Sequence, residues 1–277
     1  MKRSFMKKAL FFGLSLFLSS SIFAQLPTFY RIDSTINAEI AQHNIAGGVA
    51  LIASNGKIIH HKAYGFSNIE ANKRMEENAI FRVASQTKAI ISVAVLQLVE
   101  RGQIRLEDPI EMYFPEFSSQ KVFVKTADSL VLVDRARSIT IRDLLTHQAG
   151  ISSADEYPYL QKEFLKYGLN NSGVTQYPSL RAEILQIAKM PLAHQPGARF
   201  SYGLSTNVLG GLIEFVTKQS LDAYLTDNIF KPLGMKDTYF YLPKSKQNRL
   251  VEIYIKQNNN LKAADRAVMP VDYPLLE

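Results

Sequence analysis

The sequence of 277 residues contains no cysteine. That excludes disulfides, thiol nucleophiles, thiolate metal sites and a lipidated cysteine. It has no low-complexity tract, and nearly half its residues are apolar, so it reads as globular and not disordered. It has no apolar run of the roughly 20 residues a membrane-spanning helix needs. There is no phosphate-binding glycine loop, no His-Glu-x-x-His and no Gly-x-Ser-x-Gly elbow; Gly203-Leu204-Ser205-Thr206-Asn207 fails at the last position. His60 and His61 are adjacent on a predicted strand, where neighbours face opposite ways, which argues against joint metal ligation.

The first 24 residues carry an address. Lys2, Arg3, Lys7 and Lys8 precede the apolar run Ala9 to Leu18, then Ser19 to Ser21 and Ile22-Phe23-Ala24-Gln25. This is the layout of a secretory signal peptide cleaved after Ala24, and the alternative is a retained N-terminal anchor. Export places the protein in a bacterial periplasm or the medium. The formal charge of +7 falls to about +3 once those four basic residues are removed, so the basic balance belongs to the leader. No nucleic-acid partner is expected, and no membrane partner after cleavage. Residues 25–277 are expected to form one domain.

Phe29 to Gln42 reads as a helix, with Ile32, Ile36 and Ile40 at four-residue spacing. Gly47 to Ala53 and Ile58 to Tyr64 read as strands joined by Ser54-Asn55-Gly56-Lys57, a hairpin signal. Ser85 to Arg101 is apolar nearly all round, which predicts a central buried helix stopped by Gly102. Short strands or an excursion follow over Ser118 to Ser138. Helices are predicted over Thr140 to His147, Leu180 to Lys189, Thr206 to Thr217 and Ser220 to Ile229. Asn170 to Tyr177 is loop-like, and the tail Val268 to Glu277 has two prolines and no closing element.

Ser-x-x-Lys occurs four times, at Ser4-Lys7, Ser54-Lys57, Ser85-Lys88 and Ser118-Lys121. Only Ser85 opens the apolar helix. There, residues i and i+3 share a face, so the Lys88 amine can reach the Ser85 hydroxyl. The dipole end can stabilise negative charge at the serine oxygen. These are the needs of an acyl-transfer nucleophile. The bland alternative is a capping serine before a surface lysine.

The surrounding stretches break the tie. Phe81-Arg82-Val83-Ala84-Ser85-Gln86-Thr87-Lys88, Leu98-Val99-Glu100-Arg101-Gly102, Leu106-Glu107-Asp108-Pro109, Ile139 to Gly150, Pro196 to Tyr202 and Pro232 to Thr238 occur in one order. Together they resemble the serine β-lactamase-related family of class C β-lactamases, D-alanyl-D-alanine carboxypeptidases and esterases, over about residues 30 to 240. The resemblance implies an α/β (α+β) fold, an antiparallel sheet flanked by helices plus a mostly helical region. It implies Ser85 as nucleophile, its N–H as half of an oxyanion hole, and Lys88 with Tyr202 as the proton-transfer pair. It implies no metal or organic cofactor. His147 is expected only to shape its loop.

Two departures bear on substrate. The family's second motif places asparagine two residues after the tyrosine, and here Leu204 stands there. That favours a small-molecule ester over a β-lactam or peptide amide. Asn207 is the available substrate-side amide, although its spacing turns it toward another face. The third motif, Lys or His then any residue then Gly on a late strand, has no match after Tyr202. The expectation is a C-terminally truncated chain with an incomplete sheet. The reading is therefore a serine hydrolase, esterase-like, with β-lactamase or carboxypeptidase activity, or an inactive product or binding module, as the alternatives.

Overall fold

Apolar periodicity and turn chemistry place most elements where the residues demand them. The structure, a computed structural model, describes residues 29–126, 129–153, 160–169 and 177–264. The leader, the predicted tail 268–277 and all but Tyr177 of the loop predicted over 170–177 lie outside the described residues. The described residues divide into two compact units, 29–80 with 249–264, and 81–248.

The first unit begins with α1 (Tyr30–Ala41), then β1 (Gly47–Ser54) and β2 (Lys57–Asn68) as an antiparallel hairpin. Asn55 and Gly56 both have positive φ, 49° and 73°, as a tight two-residue turn requires. The short β3 (Lys73–Arg74) completes the order β1-β2-β3. Asp33 on α1 accepts hydrogen bonds from Lys62 Nζ (2.6 Å) and Tyr64 OH (2.5 Å), tying helix to sheet. Burial, then the Asp33 carboxylate, pushes the Tyr64 phenol up to about 12.

A second hairpin in this unit escaped the sequence reading. β6 (Tyr254–Gln257) pairs with β7 (Asn260–Ala263) across Asn258 and Asn259, at φ 48° and 62°. Its signal was the asparagine pair, the residue type after glycine that best tolerates positive φ. It forms its own two-stranded sheet and does not join β1-β2-β3.

The second unit is mostly helical. Its elements are α2 (Thr87–Glu100), a β4 (Val122–Lys125) and β5 (Leu130–Val133) hairpin, α3 (Ile141–Leu145), α4 (Gln161–Lys166), α5 (Leu180–Lys189), α6 (Ser205–Thr217) and α7 (Leu221–Leu225). α6 is the hub: α2, α3, α5 and α7 all pack on it. Its Val208, Leu209, Leu212 and Ile213 are buried with Ala94, Val95 and Leu98 of α2 and Ile184 and Ile187 of α5. α2 corrects its expectation of burial all round. Ile91, Ala94, Val95 and Leu98 are buried, but Val93 and Leu96 are about half exposed, at 49% and 48%. α2 packs on α6, and its Gln97 and Arg101 reach Tyr224 and Asn228, but apolar content alone does not say which side is covered.

Thr140 caps α3. Its Oγ1 accepts from Asp143 N (3.2 Å) and Asp143 Oδ2 accepts from Thr140 N (2.9 Å), a reciprocal capping box. Asp143 also receives both Arg137 guanidinium nitrogens, at 2.5 and 2.9 Å. Burial opposes ionisation of Asp143, but the Arg137 and Thr140 bonds outweigh it and hold the carboxyl below its usual range. A carboxyl lowered by folding contributes stability above its unfolded value near ~4, and loses it as pH falls. Asp143→Ala should therefore cost about 2–3 kcal/mol at pH 7 in urea unfolding, below the roughly 3–5 of a fully buried pair because Arg137 is partly exposed. The difference from wild type should shrink below pH ~4; an equal loss at both pH values would contradict this.

Candidate active site

Ser85 lies not in α2 itself but in a 3-10 turn over Ala84–Gln86 that leads into it. Ala84, immediately before it, has φ 43°, a left-handed backbone costly for a residue with a β-carbon. Lys88 follows in the first turn of α2. The spacing of three still brings Lys88 Nζ within 3.3 Å of Ser85 Oγ, as a donor. The third group arrives from far along the chain: Tyr202 OH lies 2.7 Å from Ser85 Oγ. Lys88 Nζ also sits 4.7 Å from the Tyr202 ring centroid, within reach of cation–π attraction. The Lys88 amine first, and then the Ser85 hydroxyl, hold the Tyr202 phenol below its ordinary value. A phenol lowered in this way could, once ionised, take a proton from the serine hydroxyl beside it.

The segment that carries Tyr202 is stitched to the loop after α3. Ala193 N donates to Gly150 O (2.9 Å), Gly197 N to Gln148 O (2.8 Å) and Ser201 N to His147 O (2.8 Å). Gly203 then passes so close to the Ile151-Ser152 backbone that a β-carbon would stand 2.3 Å from Ser152 C. Leu204 is half-buried against the helical core, beside a void of only about 10 Å³ that Gln120, Ile151, Ser152, Ile187 and Met190 also line.

Asn207 takes a different direction from the substrate-side role expected of it. Its Nδ2 donates to Glu183 Oε1 on α5 at 3.0 Å. Glu183 is buried, and burial pushes its carboxyl up against the opposing Asn207 bond. Position i+5 from Tyr202 places Asn207 within the first turn of α6, on the face toward α5. His60 bonds Tyr64 OH while His61 lies toward Glu77, so the two imidazoles do part. Among the described residues no group of three or more His, Asp or Glu could hold a metal ion. A polar cleft of about 520 Å³ lined by Ser118, Lys121, Asp134, Arg135, Arg137 and Ser138 contains none of Ser85, Lys88 and Tyr202. Its cations are each paired, with Asp134, Glu111 and Asp143. Sequence reasoning missed the strained Ala84, the tight Gly203 and the ring contact of His147 with Tyr202.

A serine hydroxyl bonded to both an amine and a phenol is the arrangement an acyl-transfer nucleophile would need. Comparison with known proteins gives the family. The Beta-lactamase family profile matches residues 32–274, and the chain belongs to that family. Esterase EstB of Burkholderia gladioli is 31% identical over 214 residues, covering 76% of this chain and 51% of the esterase. Protein flp of Staphylococcus aureus strain MW2 is 30% identical over 211 residues, 76% of this chain and 38% of its own. The chain thus spans about half the length of EstB and less of flp. Among solved structures, EstCE1, described as a hydrolase with promiscuous acyltransferase activity, superposes with a TM-score of 0.74 at 26% identity, covering 85% of this chain and 58% of its own. Simvastatin synthase (LovD) from Aspergillus terreus, at 24% identity and TM-score 0.72, shares the fold over 88% of this chain and 61% of its own.

Gly203→Ala isolates the close approach. It should displace Tyr202 from Ser85 and lower any Ser85-dependent rate by about 10²-fold, since an ångström of misplacement costs that much. Circular dichroism should remain that of the wild type; an unchanged rate would contradict the reading.

Proposed function

We propose that this chain is a serine hydrolase acting through an acyl-enzyme, with small-molecule esters favoured over β-lactams and peptide amides. The observation that carries it is the Ser85 hydroxyl held between Tyr202 OH at 2.7 Å and Lys88 Nζ at 3.3 Å. Tyr202, its phenol lowered by Lys88, takes the Ser85 proton as Oγ forms a bond to the substrate carbonyl carbon. The carbonyl oxygen becomes an oxyanion, with the Ser85 N–H as one donor. The carbon–oxygen bond to the leaving alcohol breaks, and the proton held by the Tyr202–Lys88 pair passes to that alcohol. Water then adds to the acyl carbon, gives a proton back to the pair and releases acid, and Ser85 recovers its proton.

The ester preference rests on Leu204. Its apolar side chain stands where the family's second motif has asparagine and offers no amide to a β-lactam or peptide. The identity to Esterase EstB supports the same reading. Turnover of p-nitrophenyl acetate and of a chromogenic β-lactam by the same preparation separates the two. Ester turnover should exceed β-lactam turnover, and Ser85→Ala should abolish both, along with labelling by a fluorophosphonate. The reverse order would make Leu204 irrelevant to choice. Because Lys88 favours the phenolate, kcat/KM should rise with pH through a step below pH 10, and Tyr202→Phe should remove that step. A step that survives Tyr202→Phe would assign the proton transfer elsewhere.

We propose export as well. The support is the order of Lys2 to Lys8, the apolar Ala9 to Leu18 and Ala24-Gln25. Among the described residues no helix is long and apolar enough to cross a membrane. Mass spectrometry of the protein expressed in a bacterial host should find a mature N-terminus at Gln25 outside the cytoplasm; an intact Met1 terminus retained with the membranes would favour the anchor.

A further inference from the structure

We infer that His147 is a positioning residue for Tyr202, holding the phenol where it meets the Ser85 hydroxyl. The inference rests on the proposed role of Tyr202 in proton transfer. Tyr202 is 42% exposed and Phe200 61%, while Ser201 between them is fully buried. Both rings therefore point outward, and the core does not fix the torsions of either. Among the described residues, one imidazole contacts both rings. The His147 ring stacks on Tyr202 with centroids 5.2 Å apart and planes 21° apart, and meets Phe200 at 5.6 Å and 55°.

The backbone supports the same placement. His147 O accepts from Ser201 N at 2.8 Å, so the residue grips the segment by main chain and side chain one position apart. His147 itself has φ 54°, in the left-handed region. Histidine tolerates that region better than most residues, yet glycine would occupy it without strain. The ring contacts are what an imidazole gains there over glycine. Lys88 Nζ also contacts the phenol ring, 4.7 Å from its centroid. The Tyr202 ring is thus fixed by an imidazole and an amine, and its hydroxyl by Ser85. α3, which ends just before His147, is anchored by the Thr140–Asp143 capping box and by Arg137, so the imidazole stands on a rigid base.

The test compares full-length wild type, His147→Asn and His147→Phe, each with and without Tyr202→Phe. Asparagine keeps the left-handed backbone and removes the ring; phenylalanine keeps a ring. On p-nitrophenyl acetate, His147→Asn should lower kcat by ~10–100-fold with KM within about twofold. His147→Phe should recover to within about fivefold of wild type. In the Tyr202→Phe background His147→Asn should have no further effect, because its cost runs through the phenol. An equal loss with and without Tyr202, or no recovery by phenylalanine, overturns the inference. A readout independent of activity is the ¹³C-tyrosine spectrum, in which Tyr202 is the signal lost in Tyr202→Phe. That signal should move in His147→Asn and stay near its wild-type position in His147→Phe; a signal unmoved in His147→Asn overturns the contact. A wild type that neither turns over ester nor labels at Ser85 would instead sink the hydrolase reading, and the spectrum would still decide whether His147 holds the ring.

Discussion

The 2.7 Å contact between Ser85 Oγ and Tyr202 OH joins residues 117 positions apart, and much of the second unit is arranged around it. A hydroxyl and a phenol meet at that distance only if their two backbones are fixed to within a fraction of an ångström. On one side, α2 is seated on α6 through Ala94, Val95 and Leu98, with Ser85 and Lys88 at its start. On the other, the Tyr202 segment is laced to the loop after α3 by three main-chain bonds and pressed onto Ser152 at Gly203. α6 closes the loop between them. It begins at Ser205, directly after Leu204, and packs on α2, so the helix that receives one half of the site is continuous with the other half.

Backbone strain occurs at several turns among the described residues, and two instances lie beside this contact. Ala84 and His147, both non-glycine residues with positive φ, flank the candidate site, one before Ser85 and one beside Tyr202. Such backbones persist only where surrounding packing over-determines them. Asp143 supplies part of that support at a distance: its capping box and Arg137 pair hold α3, and α3 delivers His147.

The opening hairpin was legible because Asn-Gly has one strong conformational preference, and α5 because its apolar spacing is unambiguous and Pro191 ends it. The pairing of Ser85 with Lys88 was legible from spacing once three competing tetrads were set aside. Tyr202 was reachable only through the resemblance, since nothing local tells an outward phenol from a core one. The direction of Asn207 toward Glu183 needed the packing of α6 on α5. The exposure of Val93 and Leu96 needed knowledge of what covers α2, and the β6–β7 hairpin hid behind an Asn-Asn turn weaker in signal than Asn-Gly. Contacts between segments distant in sequence account for most of what the pattern did not disclose.

The proposed hydrolase chemistry requires Ser85 to become covalently acylated. Mixing the protein with p-nitrophenyl acetate, quenching in acid within the first turnover and mapping the peptides by mass spectrometry tests it directly. The predicted result is an acetyl adduct on Ser85, absent at long times and absent from Ser85→Ala. Hydrolysis with no adduct on Ser85, or an adduct on another residue that survives in Ser85→Ala, would contradict it.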